Sequence, residues 1–243
     1  MTLRPDVIPA STSPETAAAP VADDASAASP VSMDFGPLTI SYDGRVLTPR
    51  PWTQIQSSWA VELLAELPEG PVLEICTGAG HIGLLALALT DRDGCWSTPT
   101  RSPPRTRSRN ADAAGLADRV EVRTALAQDA VAPGETFPLA IVDPPWVKSQ
   151  EVTRFPEDPL LAIDGGDDGL AVARQCLHAV DACLHPDGAV LLQLGTFNQV
   201  AALEEWLEQS GPPHLRVRGL RSFEDRGVVV LLRRPEPGTR LLS

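Results

Sequence analysis

The stretch Val72-Leu73-Glu74-Ile75-Cys76-Thr77-Gly78-Ala79-Gly80-His81-Ile82-Gly83 decides the fold. It runs from a short apolar strand, residues 71–75, through a glycine-bearing turn into an apolar helix, residues 82–89. Glycines at such a turn let backbone approach a ligand closely, and the start of the helix offers unpaired N–H groups. Glu74 places a carboxylate near the strand end, expected to face the same crevice. On these residues alone the turn either cradles a ligand or merely joins strand to helix, because a bare G-x-G is a weak signal. Gly78, Gly80 and Gly83 also satisfy the G-x-G-x-x-G spacing of a dinucleotide site, so the loop by itself leaves the ligand open.

Outward from this turn, strands and helices alternate. Upstream, residues 35–47 read as a β-hairpin, 38–42 and 45–47 about a turn at Asp43-Gly44. Pro49-Arg50-Pro51 breaks it, and 52–67 is periodic enough for a helix. Downstream, 120–122 and 139–142 are strands, 170–184 an amphipathic helix, 189–194 a strand, 200–209 a helix, and 215–220 with 227–232 a closing pair. Apolar strands without inside–outside alternation, interleaved with helices, predict an α/β fold. Its sheet is doubly wound and mostly parallel, with an antiparallel hairpin at the C-terminal edge. Residues 1–32 are rich in Ala, Ser, Thr and Pro and are expected to form a disordered tail. An N-terminal hairpin and linker (33–54), the main domain (55–235) and a short C-terminal tail (236–243) follow. Met33 stands just ahead of the first strand pattern as an alternative start of translation.

Bulk composition narrows the function. The 243 residues carry a formal net charge of −12 and a pI near 4.7, which repels phosphate backbones and anionic lipid. Nucleic acid and membranes are therefore disfavoured partners. Residues 83–89, the longest apolar stretch, are too short to span a bilayer, and the N-terminus lacks the apolar core of a signal peptide. Cys76, Cys95, Cys176 and Cys183 fit neither zinc nor disulfide spacing, so no metal is expected and a cytoplasmic location is. His81, His178, His185 and His214 read as packing or surface, and Trp59 and Trp206 as core.

Residues 74–80 resemble the first motif of the Rossmann-like S-adenosylmethionine-dependent methyltransferases, an acid followed by G-x-G-x-G, with Cys76 in place of the first glycine. The resemblance implies that the turn Cys76, Thr77, Gly78, Ala79 and Gly80 binds the cofactor, Gly78 and Gly80 lining its methionine moiety and Glu74 lying near its amino group. A second string, Asp143-Pro144-Pro145-Trp146, ends the strand at 139–142. Two prolines fix φ and remove two N–H donors, leaving a rigid turn. Asp143 and the Pro144 carbonyl can accept the two hydrogens of an NH2 group while Trp146 stacks on its plane. Methyl transfer needs chiefly orientation and electrostatics, which such a turn supplies. The plainer reading of these four residues is an Asp–Pro turn capping a strand.

The string also looks like the [Asn/Asp]-Pro-Pro-[aromatic] motif of amino-methyltransferases, which implies catalytic roles for Asp143, Pro144, Pro145 and Trp146, with Asp143 also near the cofactor. Residues 154–159 and 161–170, ending Asp164-Gly165-Gly166-Asp167-Asp168-Gly169-Leu170, closely resemble the release factor glutamine methyltransferases, the HemK/PrmC group. So do Pro49-Arg50-Pro51-Trp52-Thr53, Gln193-Leu194-Gly195 with Gln199, and Asp225-Arg226; together they cover roughly residues 38–233. The family usually has Asn and Tyr where this chain has Asp143 and Trp146, two acids where it has Trp52 and Gln54, and a helical N-terminal domain where it has the tail. It also tends to place an acid and an aromatic near adenine, where this chain has Leu126-Ala127. The acceptor implied is a nitrogen on a protein or small molecule. The alternatives are an adenine-N6-type nucleic-acid methyltransferase, which a base-flipping surface would mark, and a non-catalytic module of the same fold.

Between Asp93 and Asn110 the pattern fails. A second strand ending in an acid for the ribose hydroxyls is due, but the chain reads Gly94-Cys95-Trp96-Ser97-Thr98-Pro99-Thr100-Arg101-Ser102-Pro103-Pro104-Arg105-Thr106-Arg107-Ser108-Arg109. A basic loop or a nucleic-acid patch would account for it. A local frameshift accounts for more: with serine codons that begin TC, C as the third base of Thr100 and G at the other four-fold degenerate third bases, each codon's last base read with the next two spells Leu-Val-Asp-Ala-Asp-Pro-Val-Ala-Ala-Ala from Cys95 onward. The polypeptide as written is then expected to have a degraded second strand and no ribose carboxylate. A hydrogen bond to a charged group contributes about 1.5–3 kcal/mol, so cofactor affinity falls on the order of ten- to hundred-fold.

Overall fold

In this computed structural model the described chain comprises residues 30–98, 104–224 and 226–235; residues 1–29 of the tail expected at 1–32, the tail expected at 236–243, residues 99–103 and Asp225 lie outside it. β1 (Val31–Phe35) and β2 (Leu38–Tyr42) pair antiparallel about Gly36-Pro37, with Gly36 at φ 59°. The hairpin is thus one strand earlier than the sequence suggested, and β1 starts inside the span expected to be tail. Asp43-Gly44 does turn, but the Asp43 carboxylate accepts the Arg45 backbone N–H at 3.0 Å and pairs with its guanidinium. That local bond takes the donor a ladder would need, and no strand follows.

The rest of the chain alternates. A single 3₁₀ turn at Pro51–Thr53 leads into α1 (Gln54–Leu64), β3 (Val72–Ile75), α2 (His81–Ala88), β4 (Gly94–Thr98), α3 (Pro104–Ala113), β5 (Val120–Thr124) and β6 (Phe137–Val142). Then come α4 (Leu160–Ile163), α5 (Ala171–Cys183), β7 (Leu184–Leu194), α6 (Phe197–Gln209), β8 (Arg216–Ser222) and β9 (Val228–Arg233). The seven-stranded sheet has the order β5-β4-β3-β6-β7-β9-β8, parallel except for β9, which runs against both β7 and β8. The expected Rossmann-like sheet with its antiparallel C-terminal hairpin is the observed architecture.

Both faces are buried, and side chains divide between them by the two-residue strand period. Val72, Leu139, Ile141 and Leu191 pack with Trp59, Leu63 and Leu84 of α1 and α2, joined by Phe35 and Ile40 of the hairpin. Leu73, Ile75, Val142 and Leu192 pack instead with Leu177 and Val180 of α5 and Leu203 of α6.

The second strand is not degraded. β4 forms between β3 and β5, with Cys95 opposite both Leu73 and Glu121. Parallel ladders on both sides satisfy its backbone whatever its side chains, and Trp96 is fully buried. Of the arginine-rich run, for which a basic loop was one reading, residues 104–109 lie in α3, which opens on Pro104, where a missing N–H costs nothing. Strand order reverses between β3 and β6, the place in an open parallel sheet where the carboxyl ends leave a crevice.

Candidate active site

The turn after β3 coils through three left-handed residues, Cys76 (φ 62°), Gly78 (φ 51°) and Gly80 (φ 80°), and delivers the chain into α2 at His81. Gly80 is also crowded: a Cβ there would lie 3.3 Å from the Trp96 ring. Gly78 is the opposite, since a Cβ on it would meet nothing within 4 Å and would point into open space. From beneath, Asn110 Nδ2 donates to the Ala79 carbonyl at 2.9 Å, while its amide also exchanges two bonds with the Ser41 backbone. Arg107 Nη1 reaches the Gly78 carbonyl at 3.3 Å. Asn110 therefore fastens hairpin, turn and α3 together, a role its sequence position did not announce.

Glu74 does not open onto the crevice. Strand alternation turns it under α2, where it is 1% exposed and sits where a Cβ on Gly83 would overlap its Oε2. The Gly83 N–H approaches without reaching hydrogen-bonding geometry, and neither carboxyl oxygen has a partner among the described residues. Burial pushes its pKa up to about 8, with the Asp143 charge adding to the rise. Thr77 Oγ1 is likewise buried without a partner among the described residues. His81 is packing, as its type suggested: it meets the Phe35 ring edge-on at 4.8 Å, and burial lowers its pKa to about 3.

The second motif lies beside the first. Val142 pairs with Ile75, and the Asp143 N–H donates to the Ile75 carbonyl at 3.4 Å, so both turns leave the same rim of the sheet on neighbouring strands. Asp143 and Trp146 are half-buried and Pro144 is buried. Desolvation raises the Asp143 pKa to about 7.

Three glycines close around this turn. A Cβ on Gly165 would come 2.7 Å from the Pro145 carbonyl; one on Gly169 would overlap the Trp146 carbonyl, and one on Gly195 the Trp146 indole. Residues 163–165 are laced to Val147 by Val147 N–H to Ile163 O at 2.9 Å and Gly165 N–H to Val147 O at 2.8 Å. Gln199 joins everything: its Nε2 donates to Trp146 O at 2.8 Å and Gly169 O at 3.4 Å, and its Oε1 accepts from Gly195 N at 3.0 Å and Thr196 N at 3.1 Å. The strings quoted from residues 143–146, 164–170 and 193–199 are one contact set. From α1, buried Gln56 donates to Val142 O at 3.3 Å and Leu191 O at 2.9 Å, tying the ends of β6 and β7; nothing in its helical periodicity signals this.

No family model matches the chain. Among curated proteins it is 26% identical over 205 residues to a release factor glutamine methyltransferase of Clostridium acetobutylicum, covering 82% of this chain and 72% of that one. It is 31% identical over 197 residues to that of Cereibacter sphaeroides, covering 78% and 67%. Among solved structures, the catalytic domain of hMettl16 in complex with an RNA hairpin superimposes with a TM-score of 0.66 at 19% identity, covering 83% of this chain and 75% of that one, which shows the shared fold. With its motifs gathered at the switch of strand order and these relatives along its length, the chain belongs to the release factor glutamine methyltransferase family.

Proposed function

We propose that the chain transfers a methyl group from S-adenosylmethionine to the side-chain amide nitrogen of a protein glutamine, using the turns 76–80 and 143–146 as one site. The adjacency of those turns carries the reading, through the Ile75–Val142 pair and the Asp143 N–H bond to Ile75. The acceptor class follows the release factor glutamine methyltransferases it resembles.

The residues present suit the methionine end of the cofactor. Gly78 offers a bare Cα to open space, Thr77 Oγ1 has an unused hydrogen-bonding capacity, and α2 presents its N-terminus. Glu74 supports the turn from below instead of touching the ligand. The ribose end is poorer, since residues 94–111 contain no Asp or Glu. When bound, the cofactor supplies an electrophilic methyl on a sulfonium sulfur. Asp143 and the Pro144 carbonyl hold the amide NH2, Trp146 lies against its plane, and the ionised Asp143 carboxylate takes the proton the nitrogen sheds. A base with a pKa near the working pH is suited to that task.

Tritium from labelled S-adenosylmethionine, followed into protein, nucleic-acid and metabolite fractions, tests this. Label in protein as N-methylglutamine is expected. Label in nucleic acid would move the assignment to an adenine amino group, and no label with the fold intact by circular dichroism would make the chain a binding module.

A further inference from the structure

Cys76 is out of place twice over. It holds a left-handed φ of 62° that costs a non-glycine residue about 1–2 kcal/mol, and it does so at the first residue of the cofactor turn. Its sulfur faces that of Cys176 on α5 at 3.8 Å. Cys176 is 1% exposed within the core beneath Leu73 and Ile75, whereas Cys76 is only half-buried. These two thiols come from parts of the chain 100 residues apart.

We propose that Cys76 and Cys176 form a reversible disulfide that disables the cofactor turn. A hydroperoxide is the oxidant. The Cys76 sulfur attacks its terminal oxygen, the O–O bond breaks, and water leaves a sulfenic acid behind when the oxidant is hydrogen peroxide. The Cys176 sulfur then attacks that sulfur, the S–S bond forms, the S–O bond breaks, and a second water departs with the remaining proton. Two thiols are oxidised by two electrons and one peroxide is reduced; a dithiol reverses the change by exchange.

Bonded sulfurs lie about 2.05 Å apart, so closure draws them together from 3.8 Å. Any shift this imposes on the Cys76 backbone passes to Thr77 and Gly78, which come next in the chain. The hydrogen bond to Cys176, together with burial, holds the Cys76 thiol well above the ordinary cysteine range, and the charges of Asp143 and Glu74 act in the same direction. Oxidation is consequently slow at neutral pH and accelerates as pH rises.

The effect on cofactor rests on the function proposed above, so the test reads linkage and binding separately. The full chain is treated with hydrogen peroxide, its thiols counted and peptides mapped, and S-adenosylmethionine binding measured by calorimetry before and after. Loss of two of the four thiols, a Cys76–Cys176 peptide, and at least a ten-fold fall in affinity restored by dithiothreitol are expected. Cys176→Ala should bind like the reduced chain and form no such link, while Cys183→Ala should still form it. A Cys95–Cys183 link, irreversible over-oxidation of Cys76 alone, or a Cys76–Cys176 link that leaves affinity unchanged overturns the proposal. If the reduced chain binds no cofactor, the proposed function fails. The disulfide is then judged by its mapped peptide and by altered amide exchange across residues 76–83, whose absence overturns it.

Discussion

On the function proposed above, Asp143 should set the pH range of the reaction. Its pKa is pushed up to about 7 by burial, so the acceptor form of the side chain is populated only as pH rises through that value, or somewhat lower once a sulfonium charge is bound. Methyl transfer at saturating cofactor should therefore climb with pH up to about 7 and then level. Asp143→Ala, which removes the acceptor, should run on the order of 10²-fold slower. Asp143→Asn, which gives the residue the family usually has and keeps an acceptor oxygen but cannot take a proton, should lose that limb while retaining methyl transfer. A limb that survives the substitution would assign the proton to another group. Glu74 makes a different demand. Its folded-state pKa of about 8 lies above its usual 4.5, so the folded chain holds a proton that the unfolded chain releases. Stability from this group is full below about pH 4.5 and is lost as pH rises to about 8, a change on the order of 5 kcal/mol. Urea unfolding of Glu74→Gln should show most of that slope removed, with the variant more stable than the parent at pH 9.

Among elements, the turn after β6 owes its shape to its neighbours as much as to its prolines. Gln199 spans three of them, so Gln199→Ala should let the Trp146 carbonyl and the Gly195 turn drift apart. A misplacement of about 1 Å can cost on the order of 10²-fold in rate, and here kcat should fall at least ten-fold while cofactor Kd changes less than two-fold. Equal losses in both would mean that the residue only stabilises the fold. The same element scale explains what could be read in advance. β3, β6 and β7 were legible because strands buried on both faces are unbroken apolar runs. β4 was not, because Gly94-Cys95-Trp96-Ser97-Thr98 has little strand character of its own and takes its conformation from ladders to β3 and β5. Nor was α3, whose prolines and arginines read as loop although Pro104 suits a first helical position. The two site motifs were visible as strings. Of their clamp, Gln199 was named only through the family resemblance, and Gln56 and Asn110 were not signalled, since all three act through backbone carbonyls brought near only by the fold.

For the whole molecule, the foreign-looking stretch folds but fits badly. Trp96 Nε1 and Arg107 Nε and Nη2 are buried without hydrogen-bond partners among the described residues, and all belong to residues 94–109. An unsatisfied buried polar group costs about 1–3 kcal/mol, more when charged, so Arg107→Met should raise unfolding stability by roughly that amount. A loss instead would mean that the guanidinium's bond to the Gly78 carbonyl, or a pairing with Glu74 in solution, outweighs that cost. The coding DNA bears on the same stretch: codons whose shifted frame spells an acidic strand end would trace the misfit to a frameshift. Everything about activity depends on the two turns sharing one ligand space at the β3–β6 edge. Hydrogen–deuterium exchange with and without saturating S-adenosylhomocysteine measures that most directly. Slowed exchange should appear together at the amides of residues 76–83 and of Asp143, Trp146 and Val147. Protection confined to one turn, or found only at the opposite rim of the sheet, would contradict it.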